Sequence, residues 1–95
     1  MKRLAVSHHF QRQLKKFSHP DQQKIRVTLK EFLTAIQTGK VPLGFGFKKI
    51  NGDKYEIRVD IRIRILMKSE GDLLICHVVG NHETMRQYLR EYRNK

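Results

Sequence analysis

The first part of the chain carries apolar residues at the spacing of an amphipathic α-helix. Phe10, Leu14 and Phe17 fall on one side of a helix that Ser7 can cap and that runs to about Phe17. A longer apolar stripe follows, made of Ile25, Leu29, Phe32, Leu33 and Ile36. Two consecutive helices with matching stripes predict a helical hairpin that lies against a flat partner.

The second helix has recognisable ends. Ser18 can cap its N-terminus, Pro20 suits the first turn, and Asp21 can complete a capping box. Gly39 is the expected C-terminal stop, because glycine readily adopts the left-handed conformation that ends a helix. Residues 2–6, which precede both helices, predict a short strand.

A different period begins at Tyr55, where apolar and charged residues alternate strictly. The apolar positions are Tyr55, Ile57, Val59, Ile61, Ile63 and Ile65. The charged positions between them are Glu56, Arg58, Asp60, Arg62 and Arg64. A period of two residues predicts one half-buried strand, or two strands joined by a tight turn near positions 59–60.

Turn signals and a second apolar run complete the pattern. Residues 51–53 (Asn-Gly-Asp) and 70–72 (Glu-Gly-Asp) predict turns, with a short strand over 47–50 before the first of them. The near-continuous apolar run over 73–79 predicts a central strand. The C-terminal helix that follows carries Met85, Tyr88, Leu89 and Tyr92.

The predicted order is β-α-α-β-β-β-β-α, in a single domain that spans residues 1–95. An N-terminal strand, a two-helix hairpin, an antiparallel sheet meander and a short C-terminal helix together define an α+β fold. In this arrangement the helices cover one face of the sheet, and the other face is left able to bind a ligand.

The balance of charge narrows the choice of partner. The chain has 20 Lys and Arg residues against 9 Asp and Glu, a formal net charge of +11. Such a surplus attracts nucleic acid, anionic membranes or an acidic protein, and its distribution favours nucleic acid. No apolar stretch approaches the ~18 residues of a membrane span, and no signal-peptide core follows the charged N-terminus. We therefore expect a cytoplasmic protein with no membrane partner.

The chain has one cysteine, Cys76, inside the apolar run. A single cysteine excludes an intrachain disulfide and a cysteine-based zinc site. His8 and His9 are adjacent, so their side chains diverge on a helix, and no carboxylate with metal-ligand spacing accompanies them. We expect Cys76 to be a small buried residue, and we expect no metal and no cofactor.

The strongest chemical signal is the charged side of the alternating region. If the backbone stays extended, Arg58, Arg62 and Arg64 project from the same face. The planar guanidinium group suits phosphate oxygens. One of Lys48 and Lys49, on the preceding strand, is expected to share that face. The cluster predicts a phosphate-binding site.

The same region has a second interpretation, which needs no ligand. A solvated sheet face, with Glu56 and Asp60 as neutralising cross-strand partners, explains the same alternation. The clustering of Arg and Lys favours the phosphate site over this alternative.

A second signal lies where the apolar strand ends and the last helix begins. His82 stands at this junction, a place where folds expose functional groups. Tyr88 is six residues further on and shares a site with His82 only if His82 precedes the helix proper. The alternative interpretations are a helix cap for His82 and a core aromatic for Tyr88.

The order of elements and three segments resemble the RelE/ParE toxin superfamily. The segments are 55–59 (Tyr-Glu-Ile-Arg-Val), 62–66 (Arg-Ile-Arg-Ile-Leu) and 78–83 (Val-Val-Gly-Asn-His-Glu), with Tyr88 behind the last. The resemblance covers essentially the whole chain. The sequence departs from the family at Val59-Asp60-Ile61, where a glycine turn is usual, and at Ile63, where an aromatic residue is common.

The resemblance implies roles for the basic residues. Arg64 matches the arginine that contacts the scissile phosphate, and His82 and Tyr88 match the basic side chain and the phenol of the family. The residues expected to assist in RNA or phosphate binding are Lys48, Lys49, Arg58, Arg62 and Arg86. The implied protein is the toxin of a type II toxin-antitoxin system, a metal-independent mRNA endonuclease that acts on ribosome-bound message. Its implied partners are a cognate antitoxin, mRNA and the ribosome.

Two other functions fit the same fold. ParE-type members of the superfamily inhibit DNA gyrase and usually lack the full catalytic set, so the presence of His82 and Tyr88 favours the nuclease branch. A catalytically inactive module that binds RNA or an antitoxin would keep the sheet and the basic face without the chemistry.

Overall fold

A computed structural model describes residues 2–92 of the chain. Its helices and strands follow the predicted order and form an α+β fold. In chain order they are β1 (Arg3–Val6), α1 (His8–Leu14), α2 (His19–Thr38), β2 (Lys48–Asn51), β3 (Lys54–Arg58), β4 (Arg64–Glu70), β5 (Leu73–Gly80) and α3 (His82–Tyr92). A short 3-10 helix, Leu43–Phe45, lies between α2 and β2.

The caps of the two N-terminal helices follow the sequence signals. Ser7 Oγ accepts a hydrogen bond from the Phe10 N–H, and Ser18 Oγ accepts one from the Asp21 N–H. Gly39 ends α2 with a φ of 80°, the left-handed conformation that glycine adopts without strain. Helix α1 stops at Leu14, so Phe17, expected in its last turn, lies in the connection to α2. Within residues 2–92, every helix is too short or too polar to cross a membrane.

The sheet has five strands in the order β1-β5-β4-β3-β2. Strands β2 to β5 form the predicted antiparallel meander, but β1 pairs with β5 in parallel, with Leu4 opposite Leu74. The prediction of an antiparallel sheet is therefore wrong for β1. Hairpin turns force antiparallel pairing on the meander, whereas the long connection through α1 and α2 releases β1 from that geometry.

Strand β5 lies inside the sheet, between β1 and β4, as its apolar run predicted. Its pairing with β4 contains a β-bulge, because the register changes between the Leu66–Val78 and Met67–Cys76 pairs. His77 is the extra residue of β5 at this point. The bulge reverses which face of the sheet each later residue of β5 occupies.

Helices α1 and α2 cover one face of the sheet and form the main core with it. The predicted stripes supply this core: Phe32 and Ile36 are buried, while Leu14, Phe17 and Leu29 are half-buried against it. The sheet contributes Ile57, Ile65, Met67, Leu74, Cys76 and Val79. Burial raises the pKa of Cys76 to about 12, so this buried thiol stays protonated.

The prediction that the helices leave the second face of the sheet open is wrong. Helix α3 packs on it, and Met85 meets Leu66 and Val78 in a second apolar cluster. Tyr88 and Leu89 pack against this cluster, whereas the side chain of Tyr92 lies outside the described part of the structure. Strands β4 and β5 carry apolar residues on both faces, so α3 is needed to bury the face that α1 and α2 do not cover.

The packing of Phe32 generates a first prediction. Phe32 is fully buried and makes edge-on contacts with Phe45 and Phe47, at ring-centroid distances of 5.5 and 5.2 Å. Phe32→Ala should lower the free energy of unfolding by about 3–5 kcal/mol, because it leaves a cavity where helix, sheet and loop meet. Equilibrium denaturant unfolding measures the change. Leu43→Ala is the control, since Leu43 is 98% exposed. Equal losses in the two variants would contradict this account of the core.

Candidate functional site

Arg64 is the best-anchored cation among the predicted site residues. It begins β4, opposite Arg58 on β3 and Gly80 on β5. Its Nη1 donates to Glu56 Oε1 at 3.0 Å, and Glu56 is only 5% exposed. The Arg64 side chain is 21% exposed, and its Nε is buried with no acceptor among the described residues. An unsatisfied buried donor costs stability, so the position of this group calls for a partner from outside the described residues.

The β4–β5 register brings distant parts of the chain to the same end of the sheet. Gly80 lies directly opposite Arg64, and His82 follows two residues later as the first residue of α3. Asn81 caps this helix, because its Oδ1 accepts the Thr84 N–H at 2.8 Å. The cap is therefore Asn81, and His82 is exposed beside it.

His82 and Tyr88 do not share one face of α3. The helix starts at His82, so the two residues are separated by about 9 Å along its axis and by a rotation of roughly 600°. Tyr88 is half-buried against the α3 cluster, as expected of a core aromatic. The condition under which the sequence would bring both into one site, that His82 precedes the helix, is not met.

Arg62 departs from the predicted common face of the three arginines. Strand β3 ends at Arg58 and β4 begins at Arg64, so Arg62 lies in the turn between them. Asp60 causes the turn: its Oδ1 accepts the N–H groups of Arg62 and Ile63, both at 2.8 Å. A short carboxylate that binds nearby backbone N–H groups competes with strand pairing. The prediction of one shared face is thus wrong for Arg62.

The Arg62 guanidinium lies against acidic groups at this turn. Its Nη2 is 3.6 Å from Asp21 Oδ1 and 3.9 Å from Asp60 Oδ2, and Lys24 Nζ donates to Asp60 Oδ2 at 3.0 Å. Burial opposes the charged form of Asp60, but the hydrogen bonds from Arg62, Lys24 and Ile63 outweigh it and lower the pKa of this carboxyl below its usual range.

Arg58 has the backbone position expected of it, opposite Arg64, but its side chain lies along Gly46. A Cβ at Gly46 would stand 3.5 Å from Arg58 Nη2. Arginines directly opposite each other on neighbouring strands repel, and the carboxylate of Glu56 offsets this repulsion at Arg64. The solvated-face interpretation is therefore correct about neutralisation by Glu56.

The two lysines of β2 divide between the faces of the sheet. Lys48 pairs with Glu56 and so lies on the face of Arg64, whereas Lys49 pairs with Tyr55, which packs on the helix-hairpin side. Both lysines are exposed. Arg86 lies further away on α3, 3.9 Å from Glu83, in a shallow cleft of about 290 Å³.

A larger open cleft of about 470 Å³ lies between the α1–α2 connection, the turn over residues 59–63 and the start of α3. Arg62 is the one predicted site residue that lines it. Sequence reasoning missed Gln13 and Asn81, which also line this cleft, because neither belongs to a charged or periodic pattern. Glu56 was noticed as a neutralising residue, but its burial was not apparent from the alternation.

The remaining histidines and carboxylates do not gather into a metal centre. Within residues 2–92 there is no group of three His, Cys, Asp or Glu side chains that could hold a metal ion. Burial lowers the pKa of His77, and the cations Lys68 and Lys54 lower it further. His77 therefore favours its neutral form.

Comparisons with known proteins identify the fold. No protein-family model and no curated protein matches the sequence. Among solved structures, the chain is similar to one in the RelB-RelE antitoxin-toxin complex from Methanococcus jannaschii, with 22% identity, a TM-score of 0.67, and coverage of 88% of this chain and 96% of that one. It is also similar to YafQ from E. coli strain BL21(DE3), with 14% identity, a TM-score of 0.65, and coverage of 90% and 98%.

A metal-bound toxin from Helicobacter pylori is a third similar structure, with 14% identity, a TM-score of 0.65, and coverage of 90% of this chain and 99% of that one. The first belongs to a toxin complex, the third is described as a toxin, and YafQ also occurs in the E. coli DinJ-YafQ toxin-antitoxin complex, to which this chain is similar as well. The architecture belongs to the class of small α+β folds that these structures share. The particular fold is RelE-like, and at identities below 25% the likeness establishes the fold alone.

Gly80 supports a prediction about the sheet–helix junction. A Cβ at Gly80 would stand 2.8 Å from Cβ and Cγ2 of Thr84. Gly80→Ala should lower the free energy of unfolding by about 1–3 kcal/mol, because the strand or α3 must shift to relieve the overlap. Gly44→Ala is the matched control, since a Cβ there meets nothing within 4 Å. Thermal or denaturant unfolding of both variants tests this, and a harmless Gly80→Ala would show that the junction is loose.

The Asp60 turn generates a pH-dependent prediction. Since the pKa of Asp60 is lowered by folding, its charged form stabilises the protein fully above the unfolded pKa of about 3.9. That stabilisation is lost as pH falls through the folded pKa. Asp60→Ala should cost about 1–3 kcal/mol at pH 7, and the difference from wild type should shrink below about pH 4.

Two further variants separate the contributions of this side chain. Asp60→Asn keeps an oxygen for the two N–H groups and should lose less stability than Asp60→Ala at pH 7. Glu31→Gln removes an exposed carboxylate elsewhere and should change little. If the Asp60→Ala deficit at pH 7 persists unchanged at pH 2, the carboxylate charge is not its cause.

Proposed function

We propose that this protein is the toxin of a type II toxin-antitoxin system and that it cleaves mRNA, on the ribosome, without a metal ion. The RelE-like fold and the formal net charge of +11 support a role at RNA. The RelB-RelE likeness, a toxin bound to its antitoxin, supports a cognate antitoxin as partner. An acidic or amphipathic antitoxin segment would complement the basic surface.

One observation carries the proposal: the position of Arg64. Its guanidinium is held at Nη1 by a buried carboxylate, in register with Arg58 and beside the N-terminus of α3. Paired cations and a helix N-terminus both favour an anion, and a guanidinium group matches the geometry of phosphate oxygens. Lys48 adds a further positive charge on the same face.

The proposed reaction is attack by a ribose 2′-hydroxyl on the adjacent phosphate, with the 5′-oxygen of the next nucleotide as leaving group. The 2′-hydroxyl loses a proton, the phosphorane gains negative charge, and the 5′-oxygen takes up a proton. Arg64 would stabilise the charge that develops on the phosphorane. His82 would transfer a proton, since imidazole exchanges protons near neutral pH.

Tyr88 fits a smaller role in this scheme. It packs against the cluster of Leu66, Val78 and Met85, on a different face of α3 from His82. The location of Tyr88 suits a role in positioning α3 and the strand that carries Arg64 better than a role in proton transfer. Arg58, Arg62, Lys49 and Arg86 would contribute to RNA attraction at longer range.

Single-turnover cleavage of ribosome-bound message tests the proposal. Arg64→Ala should slow cleavage by about 10²-fold or more, since it removes a cation that faces the developing charge. His82→Gln should slow it strongly, Tyr88→Phe less so, and Lys2→Ala is the control for loss of an exposed charge. Cleavage should persist in a chelator selective for transition metals, with the Mg²⁺ that the ribosome needs held constant.

Three outcomes would contradict this function. Equal weakening in all four variants would indicate a charged surface and no catalytic site. Cleavage of a message with deoxyribose at the scissile position, at an undiminished rate, would exclude attack by the 2′-hydroxyl. Growth arrest with intact message and blocked DNA supercoiling would instead identify a gyrase inhibitor.

A further inference from the structure

The 470 Å³ cleft beside the start of α3 is lined in part by polar side chains, and we call it the amide cleft after Gln13 and Asn81. Gln13 comes from α1 and Asn81 from the junction between β5 and α3. In each of them the side-chain oxygen is already occupied by a backbone N–H. This arrangement leaves both amide NH2 groups to interact with a ligand.

The orientation of Gln13 is set by the end of strand β1. β1 stops at Val6, opposite Cys76, so Val79 further along β5 has no neighbouring strand on that side. Gln13 Oε1 accepts the Val79 N–H at 2.9 Å in its place. Because an N–H can donate only to the oxygen, the amide orientation is chemically determined. Its Nε2 has no acceptor among the described residues.

The orientation of Asn81 is determined in the same way. Its Oδ1 accepts the Thr84 N–H at 2.8 Å and the Thr84 hydroxyl at 3.0 Å, as the cap of α3. The Asn81 Nδ2 then has no acceptor within residues 2–92. Two amides, from elements far apart in the sequence, thus line one cleft with donors that the fold itself leaves unused.

The rest of the lining indicates the shape and chemistry of the ligand. Phe17, Ile63 and Val79 supply apolar surface, while Lys16 and Arg62 add donors at the cleft. The carboxylate of Asp21 is the acidic group of this lining, and Arg62 and Lys24 lie 3.6 and 3.9 Å from it. A flat apolar group with hydrogen-bond acceptors on its edge complements such a lining, and a nucleobase has these properties.

The cleft lies at the same end of the sheet as the proposed phosphate site, although Arg64 does not line it. Gly80 and Asn81 line the cleft, and Gly80 is the β5 residue paired with Arg64. Arg64 lies on the α3 side of the sheet with Leu66, whereas Val79 packs on the helix-hairpin side, so one RNA molecule would contact both by passing around this end of the sheet.

We propose that the amide cleft binds one nucleobase of the same RNA whose phosphate Arg64 contacts, and that Gln13 and Asn81 select the base through its acceptor edge. This inference rests on the proposed function, since it assigns base selection to the same substrate. The site differs from the cationic residues, which contact the phosphate and ribose backbone common to all sequences.

Direct binding is tested by NMR of the side-chain NH2 groups in the full chain. The probes are four tetranucleotides, each of a single base type, with 2′-O-methyl riboses that cannot be cleaved by 2′-hydroxyl attack. At least one should shift the Gln13 and Asn81 NH2 resonances saturably, and leave those of Gln11 and Gln87 in place. An abasic oligomer of the same backbone, and inorganic phosphate, should not shift them.

Base selection is tested by isosteric substitution. Gln13→Glu and Asn81→Asp each keep the oxygen that binds a backbone N–H but replace the NH2 donor with an acceptor. On RNAs that vary the bases around the cut, the preference for the favoured base should fall by about tenfold or more. Gln11→Glu and Gln87→Glu add the same charge at exposed positions of α1 and α3 and should leave the preference unchanged.

The outcomes separate this inference from the proposed function. If Arg64→Ala stops cleavage but Gln13→Glu and Asn81→Asp slow all sequences equally, the base site is wrong and the nuclease stands. If the protein cleaves no RNA but tetranucleotides shift the two amide resonances, the base site stands and the nuclease is wrong. Equal shifts with the abasic oligomer or phosphate would overturn the base site, because they identify an anion site.

Discussion

One extra residue in β5 sets which side chains meet across the sheet. His77 is bulged out between the Leu66–Val78 and Met67–Cys76 pairs. Because side chains alternate, the bulge turns Val79 toward the α1–α2 core and Val78 toward α3. In a regular ladder Val79 would stand opposite Arg64, and its side chain would overlap Thr84, which lies 2.8 Å from where a Cβ at Gly80 would stand. The two apolar clusters and the candidate site therefore depend on the same irregularity.

A few carboxylates determine where the cations of the candidate site lie. Glu56 holds Arg64 on the sheet, and Asp21 and Asp60 hold Arg62 at the turn. Asp60 also binds the backbone that makes the turn, so one side chain both ends β3 and draws Arg62 away from Arg64. Within residues 2–92, most other Lys and Arg side chains form no ion pair with a carboxylate, in keeping with the net charge of +11. They give the surface a general attraction for anions, whereas Arg64 has a defined position.

The last strand and helix connect these features. The free N–H of Val79 donates to Gln13, Gly80 lets Thr84 of α3 approach the strand closely, and Asn81 caps α3. Each contact has its own structural cause. The end of β1 leaves an N–H of β5 unpaired, α3 approaches the sheet closely, and the first N–H groups of α3 need a cap. Together they leave polar donors and open space at one end of the sheet, where the proposed RNA chemistry is centred.

Periodicity and local chemistry determined much of the fold. The stripes around Phe32, the caps at Ser7 and Ser18, and the stop at Gly39 follow from interactions within a few residues, which the sequence displays directly. The resemblance to a toxin family also led to Arg64, and tertiary structure gave that residue a buried partner. The roles assigned to His82 and Tyr88 stay predictions, with His82 exposed and Tyr88 packed in the α3 cluster.

Only the tertiary structure decided the rest. Two strands joined by a turn cover the alternating region, because the Asp60 carboxylate binds backbone N–H groups of that turn; the alternating sequence allows this arrangement but does not decide between it and one continuous strand. Nor does it reveal the parallel pairing of β1, the bulge at His77, or the cover that α3 gives the second face. The amide cleft joins residues 13, 62 and 81, which no local pattern links. The sequence alone determined the elements and their apolar sides; contacts between distant segments decided their registers and the cleft, because those depend on packing across the whole fold.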